Sequence, residues 1–401
     1  MQGRKHRTQG TGKALRPAIL MCFGAGGLYG WSALIAPLQA RFGVTTAEAG
    51  FVFSIAIVAF SLAVFAAPHG PAYLNGQRGT AVFGVIGALA LCMAATASSY
   101  ALFVLWFSGG FGAMSGAIYI STLRLAAASA TPNRATPIMV AAFGLGGVVF
   151  GPVWRMIGDD WGLYAILPLA LILGGVSIWS YRGATPEATP SDTAATMPVH
   201  KTRPPLRLIL AIWCVFAFGS VAGLMVLGLA SKIIDIAGGS VWLGSLTLAG
   251  IALGNTGGRL SVVGICAAMR PIFATFISVG FLVIGLVLCA FVTAMPVVAC
   301  GLVLIALGYG IMASAIPTIL SDAFGEVQFS RIFPIVFTAW GTAGLVAPWS
   351  AGAIVDQTGH FLGAIYLALG ATLISGLAAV VLWRWLKPLA RQSAFSEDLR
   401  T

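Results

Sequence analysis

Gly110-Phe111-Gly112-Ala113-Met114-Ser115-Gly116-Ala117-Ile118 returns later in the chain as Gly308-Tyr309-Gly310-Ile311-Met312-Ala313-Ser314-Ala315-Ile316. Both glycines, the methionine, an alanine and the isoleucine recur at one constant offset. Two more pairs lie at nearly that offset. Pro152, followed by Ile157-Gly158-Asp159-Asp160-Trp161-Gly162, answers Pro348, followed by Ile354-Val355-Asp356-Gln357-Thr358-Gly359. Gly27-Leu28 answers Gly223-Leu224. An offset shared by three pairs implies two parallel copies of one unit.

What surrounds these stretches says what the unit is. Of 401 residues, 59% are hydrophobic and 8% charged, whereas a soluble domain carries about 25% charged residues. The chain therefore reads as a polytopic membrane protein. Its apolar runs are long and none alternates polar with apolar, so the spans are helices and not barrel strands. Twelve runs can be counted, at 17–40, 48–69, 79–97, 100–123, 136–157, 163–181, 208–231, 241–262, 271–292, 296–319, 332–354 and 361–383. Residues 182–207 are polar and hold Pro186, Pro190, Pro198, Pro204 and Pro205, the composition of a linker. The expected organisation is a tail at 1–16, a six-helix half at 17–181, the linker, a six-helix half at 208–383 and a tail at 384–401.

Charge sets the orientation. Both tails and the linker are basic, and Arg78, Arg134, Arg270 and Arg331 fall in the even loops on the same side. The odd loops hold Arg41, Arg155 and Lys232 against Glu48, Asp159, Asp160, Asp235 and Asp356. The positive-inside rule then puts both termini and the linker in the cytoplasm, with the chain in the inner membrane. The first run follows five basic residues and is long enough to be a retained signal anchor. The net charge of +11 is explained by these dispersed loop residues and calls for no nucleic acid. The lipid bilayer is the partner implied, and a monomer suffices.

Enzyme chemistry is excluded by the residues available. The six cysteines fall in or beside apolar runs without ligand spacing, and the four histidines lie in tails or at helix ends. No glycine-rich loop carries a Walker lysine, and no serine has a triad pattern. Neither a cofactor nor a metal is expected. Six plus six spans with a parallel repeat and a cytoplasmic linker resemble the layout of major-facilitator transporters, all-α proteins that bind substrate between their halves. Gly144, Gly146, Gly147 and Gly151 before Pro152, and Gly341 and Gly344 before Pro348, suit helices of opposite halves that approach closely and bend.

One charge stands out. Arg259, in Gly254-Asn255-Thr256-Gly257-Gly258-Arg259-Leu260-Ser261, is flanked by membrane-grade sequence on both sides. An arginine in hydrocarbon costs roughly 2.5–3.5 kcal/mol on insertion scales unless it faces a cavity or an anion. The bland alternative is a side chain snorkelling to the headgroups. Counted from Val241, Arg259 lies about 27 Å along a helix axis, but no charge follows until Arg270, so the helix is expected to run long. Arg124, Asp322 and Asp356 sit at helix ends and read as gate residues.

Ala25-Gly26-Gly27-Leu28-Tyr29-Gly30-Trp31-Ser32, with Pro37-Leu38 and Phe42-Gly43-Val44-Thr45, resembles the first helix of the oxalate/formate antiporter family, relatives of the monocarboxylate transporters. Asn255-Thr256-Gly257-Gly258-Arg259 is similar to that family's eighth-helix motif, whose arginine pairs with substrate carboxylate. The resemblance implies a small organic anion carried by alternating access. Three departures sharpen it. The family's second cation, a lysine in helix 11, is matched by Trp340, which argues for a monoanion. Asn255 stands where proton symporters often have an acid. The loops Gly70–Gly79 and Gly264–Arg270 lack the usual aspartate.

The expected substrate-binding set is Arg259 with Tyr29, Trp31, Ser115, Tyr119, Asn255, Tyr309 and Trp340, a guanidinium fork among aromatics. Phe143 and Phe337 are further cavity candidates. The expected function is secondary transport of a small monocarboxylate, by anion exchange or with a symported proton. The rival on the same fold is an exporter of drugs or other hydrophobic compounds. A receptor or scaffold without transport would have no need of matched bending sites.

Overall fold

A computed structural model describes residues 15–67, 70, 74, 76–127, 132–184 and 205–398. The N-terminal tail to residue 14 and linker residues 185–204 lie outside them. Among the described residues, eleven helical segments are long and apolar enough to cross a membrane. One of these, Ile138–Arg182, runs 45 residues, about twice what a crossing needs. The short 3-10 turn Gly162–Ile166 divides it, which gives twelve helices and two six-helix halves.

In chain order the N-terminal half holds α1 (Leu15–Phe42), α2 (Thr46–Ala66), α3 (Gln77–Ala95), α4 (Tyr100–Ala126), α5 (Pro132–Trp161) and α6 (Leu167–Arg182). The C-terminal half holds α7 (Leu206–Ile236), α8 (Val241–Ala268), α9 (Ile272–Phe291), α10 (Met295–Phe324), α11 (Ile332–Thr358) and α12 (Leu362–Asp398). No non-helical residue separates α10 from α11, and α12 continues past residue 384 to Asp398.

Local sequence explains the ends. Thr45 and Glu48 form a capping box that starts α2, and the Ser99 and Ser240 hydroxyls accept from Leu102 N–H and Leu243 N–H to start α4 and α8. Gly43, Gly162, Gly238 and Gly359 have φ between 55° and 75°, a conformation that favours glycine. They close α1, α5, α7 and α11, all on the membrane face opposite the termini.

Small residues set the packing. A Cβ on Gly26 would strike the Phe143 carbonyl, its carbon only 2.6 Å away, and one on Gly146 would lie 2.6 Å from the Gly26 carbonyl carbon. α1 and α5 thus cross backbone to backbone. Gly26→Ala is expected to cost about 3 kcal/mol, the upper end for overpacking, because backbone and not a flexible side chain must yield. A Tm unchanged from wild type in the same detergent would refute this.

The halves meet along α2–α11 and α5–α8, pairs related by the repeat, and along α1–α7. On the α2–α11 seam Gly50 faces the Pro348 carbonyl, Gly344 faces Ile57, and a Cβ on Gly341 would lie 3.0 Å from Ser61 Oγ. On the α5–α8 seam Gly144 faces Thr256, and a Cβ on Gly147 would lie 3.5 Å from that of Ala252. Gly144, Gly341 and Gly344 thus bring opposite halves together, Gly147 and Gly151 touch both α1 and α8, and Gly146 serves α1.

Candidate functional site

α8 is 28 residues long, about 42 Å at 1.5 Å per residue, so it extends well past Arg259. The Arg259 Cα lies only about 7 Å from the helix midpoint, on the side of the termini. The side chain is partly buried and turns toward the other half. Its Nη2–H donates to the Tyr29 hydroxyl of α1 over 3.1 Å, and its Nε–H points at Asn255 Oδ1, 3.4 Å away and one turn earlier. The Tyr119 hydroxyl of α4 also interacts with the guanidinium. On the other flank the Trp340 Nε1–H of α11 donates to the Tyr309 hydroxyl of α10 over 2.5 Å, and Tyr309 in turn interacts with Tyr29. Tyr309 reaches this place because α7 carries Gly223, where any Cβ would strike its ring.

Six of the eight expected residues are thus brought together: Tyr29, Tyr119, Asn255, Arg259, Tyr309 and Trp340. Trp31 is not among them. It is fully buried between α1 and α4, with ring centroids 5.0 Å from Phe107 and 6.1 Å from Phe103. Ser115 is also fully buried, and its hydroxyl makes no hydrogen bond among the described residues.

Phenylalanines close the shell. Phe143 packs edge-on against Tyr29 at 5.0 Å and Tyr119 at 5.1 Å. Phe60 of α2 spans the seam, 5.7 Å from Phe143 and 5.4 Å from Trp340, which also packs on Phe337 at 5.2 Å. Phe60 escaped the sequence reading because it sits in a uniformly apolar run, Ala56-Ile57-Val58-Ala59-Phe60, with nothing to set it apart from a packing residue.

Electrostatically the cluster is a surplus of donors. Among the described residues no carboxylate lies within ion-pair distance of Arg259; the ion pair found there joins Arg155 to Asp235. Asn255 is fully buried, its Oδ1 faces Arg259, and its Nδ2 donors have no partner among the described residues. Tyrosine hydroxyls and an amide can solvate a guanidinium but leave its charge in place. Among the described residues no group of His, Cys, Asp and Glu could hold a metal ion.

Hydrogen bonds cross between the halves at Arg259–Tyr29 and at the face opposite the termini. Asp356, at the end of α11, accepts from Thr46 N–H at 2.9 Å and Ala47 N–H at 2.7 Å, which caps the N-terminus of α2. Arg155, at the end of α5, donates to Asp235 of α7 at 2.6 Å, its guanidinium lying over Gly244 at the start of α8. A small cavity bounded by Tyr29, Gly30, Gly151, Leu227 and Leu248 holds about 10 Å³, room for about one water. Of the other expected gate residues, Arg124 donates to the Ala67 carbonyl within its own half, and Asp322 is exposed.

The pattern of the Major Facilitator Superfamily matches residues 18–333. The chain belongs to that superfamily. This transporter has no sequence match among curated proteins. Its fold is similar to that of a bacterial homolog of the human lysosomal transporter Spinster. The inward-facing, unoccupied form of that protein superposes with a TM-score of 0.68 at 10% identity, covering 95% of this chain and 98% of the other. The inward-facing, occupied form gives 0.65 at 11% identity, covering 95% and 97%. Such identities speak to the fold alone. The protein is a multi-pass secondary transporter of a small solute and not an enzyme.

Proposed function

We propose that this transporter carries a small monocarboxylate across the cytoplasmic membrane by alternating access. The observation that supports this reading is Arg259, a cation on the seam between the halves with no carboxylate beside it among the described residues. A charge at that depth is tolerated when it has an anion to bind. The guanidinium offers a fork to two carboxylate oxygens, and the Asn255 amide and Tyr29 hydroxyl stand ready to complete the donor set. Aromatic rings bound the space and favour a small ligand.

Trp340 bears on the number of charges. Its indole N–H is committed to Tyr309, so that flank offers no cation to a second carboxylate. A dicarboxylate would bury one charge unpaired, which is costly. No acid belongs to the cluster, so a symported proton would travel with the substrate, and the alternative coupling is exchange of one anion for another. With the termini in the cytoplasm, the closed face is the outer one and substrate meets Arg259 from inside.

The test is uptake of labelled formate, acetate and lactate into proteoliposomes, with and without a pH gradient. Saturable uptake that oxalate competes with weakly is expected. Trp340→Lys restores a second cation and is expected to tighten inhibition by oxalate about tenfold, the worth of one charged hydrogen bond. If the wild type carries a lipophilic cation instead and ignores all three acids, the rival exporter reading replaces this one.

A further inference from the structure

α3 and α6 cross tightly at Gly84, where a Cβ would strike the Ser177 hydroxyl, and at Gly87, where one would lie 3.5 Å from Leu173. Toward the lipid and the termini the two helices leave a groove of about 360 Å³ between them. Its wall is apolar, with Ala81, Val82 and Ile86 from α3 and Ile178 from α6, and Tyr181 and Arg182 form its rim. At the same end Arg78 holds its guanidinium 5.9 Å from the Tyr181 ring centroid and donates to the Ala184 carbonyl over 3.4 Å. Arg78 and Arg182 are exposed, and no acidic side chain pairs with either among the described residues.

The two halves differ at this end. In the C-terminal half Phe273 packs on Trp383 at 6.5 Å and on Phe276 at 6.3 Å, so three rings gather near the start of α9. In the N-terminal half Ala81 and Val82 stand near the start of α3, and the slot stays open with two arginines at its mouth.

We infer that this slot is a binding site for an anionic phospholipid, with one acyl chain along Ala81, Val82 and Ile86 and the phosphate at Arg182 and Arg78. An acyl chain suits a slot open to the hydrocarbon. Guanidinium forks match phosphate oxygens, and basic sites between helices at a cytoplasmic headgroup layer select anionic lipid. The exposed rim suits a headgroup better than a soluble ligand, since the floor faces lipid and not water.

The test uses the full-length protein purified in neutral detergent, with bound lipid read by native mass spectrometry against added phosphatidylglycerol or phosphatidylcholine. One phosphatidylglycerol is expected to be retained, at least tenfold more tightly than phosphatidylcholine. Arg182→Gln, on the surface, is expected to reduce that preference about fivefold or more, and Ala81→Phe, which puts a ring into the slot, to remove the bound lipid. Equal retention of both lipids by the wild type would overturn the proposal. So would a preference for phosphatidylglycerol left intact in Arg182→Gln, which places the lipid on other basic residues.

Discussion

Replacing Arg259 with alanine is expected to abolish saturable carboxylate uptake while the folded protein becomes no less stable. The two effects have opposite signs for one reason. Without substrate, the guanidinium is a partly buried cation whose partners are the Tyr29 and Tyr119 hydroxyls and the distant Asn255 oxygen, with no anion within ion-pair distance among the described residues. Removing it relieves desolvation that those dipoles compensate only in part. With substrate bound, the same group supplies a two-pronged, charge-assisted contact. Leaving a carboxylate unpaired among Tyr29, Tyr119, Phe143 and Trp340 costs about 3–5 kcal/mol, or roughly a 10²–10⁴-fold loss of apparent affinity. Arg259→Lys keeps the charge and loses the fork, so an intermediate loss of about tenfold is expected. Uptake and thermal unfolding on the same preparations settle it. Wild-type uptake by the alanine variant would remove Arg259 from the site. A large fall in Tm would mean that its role is structural.

The twelve spans were legible because a bilayer demands about 20 apolar residues per crossing whatever else a helix does. The repeat was legible at Gly110–Ile118 because close helix contacts tolerate few side chains. Which way each residue faces was not legible. In an apolar run no polar stripe marks the inner face, and Phe60 shows the consequence. Tyr29 and Trp31 were both placed in the pocket, yet they are two residues apart in a 3-10 segment, Gly26–Leu34. Residues two apart on a helix do not share a face, so when Tyr29 points to Arg259, Trp31 points into the bundle toward Phe107. Tyr309 and Trp340 were found because polar handles on aromatics are informative in a membrane: a buried N–H or O–H needs a partner, and here they satisfy each other. The locking role of Arg155 was hidden, because its partner Asp235 is 80 positions away and on the other half.

Asp356→Ala combined with Arg155→Ala is expected to open the face opposite the termini. Asp356 contributes more. Its carboxylate takes two charge-assisted hydrogen bonds from the first turn of α2, and because Asp356 is exposed each is worth about 1 kcal/mol. The Arg155–Asp235 pair counts for less, since the Asp235 side chain is 42% exposed and solvent-screened pairs are worth about 0–1 kcal/mol. Losing both removes about 2 kcal/mol from the state described here, enough to shift a two-state population by roughly 30-fold. The glycine contacts along α2–α11 and α5–α8 remain, so the protein is expected to stay folded and change its resting state. A reporter cysteine at Ala252, which lies on the α5–α8 seam and is 4% exposed, reads the change in a background where the six native cysteines are replaced. A membrane-impermeant maleimide is expected to label it slowly in the parent and at least tenfold faster in the double variant. Asp356→Ala alone is expected to give most of that gain and Arg155→Ala alone little of it. Equal labelling of parent and double variant would show that the glycine seams, not these carboxylate contacts, hold that face shut. The seam would then be tested through Gly344, where a side chain as small as alanine must displace Ile57 before the halves can close.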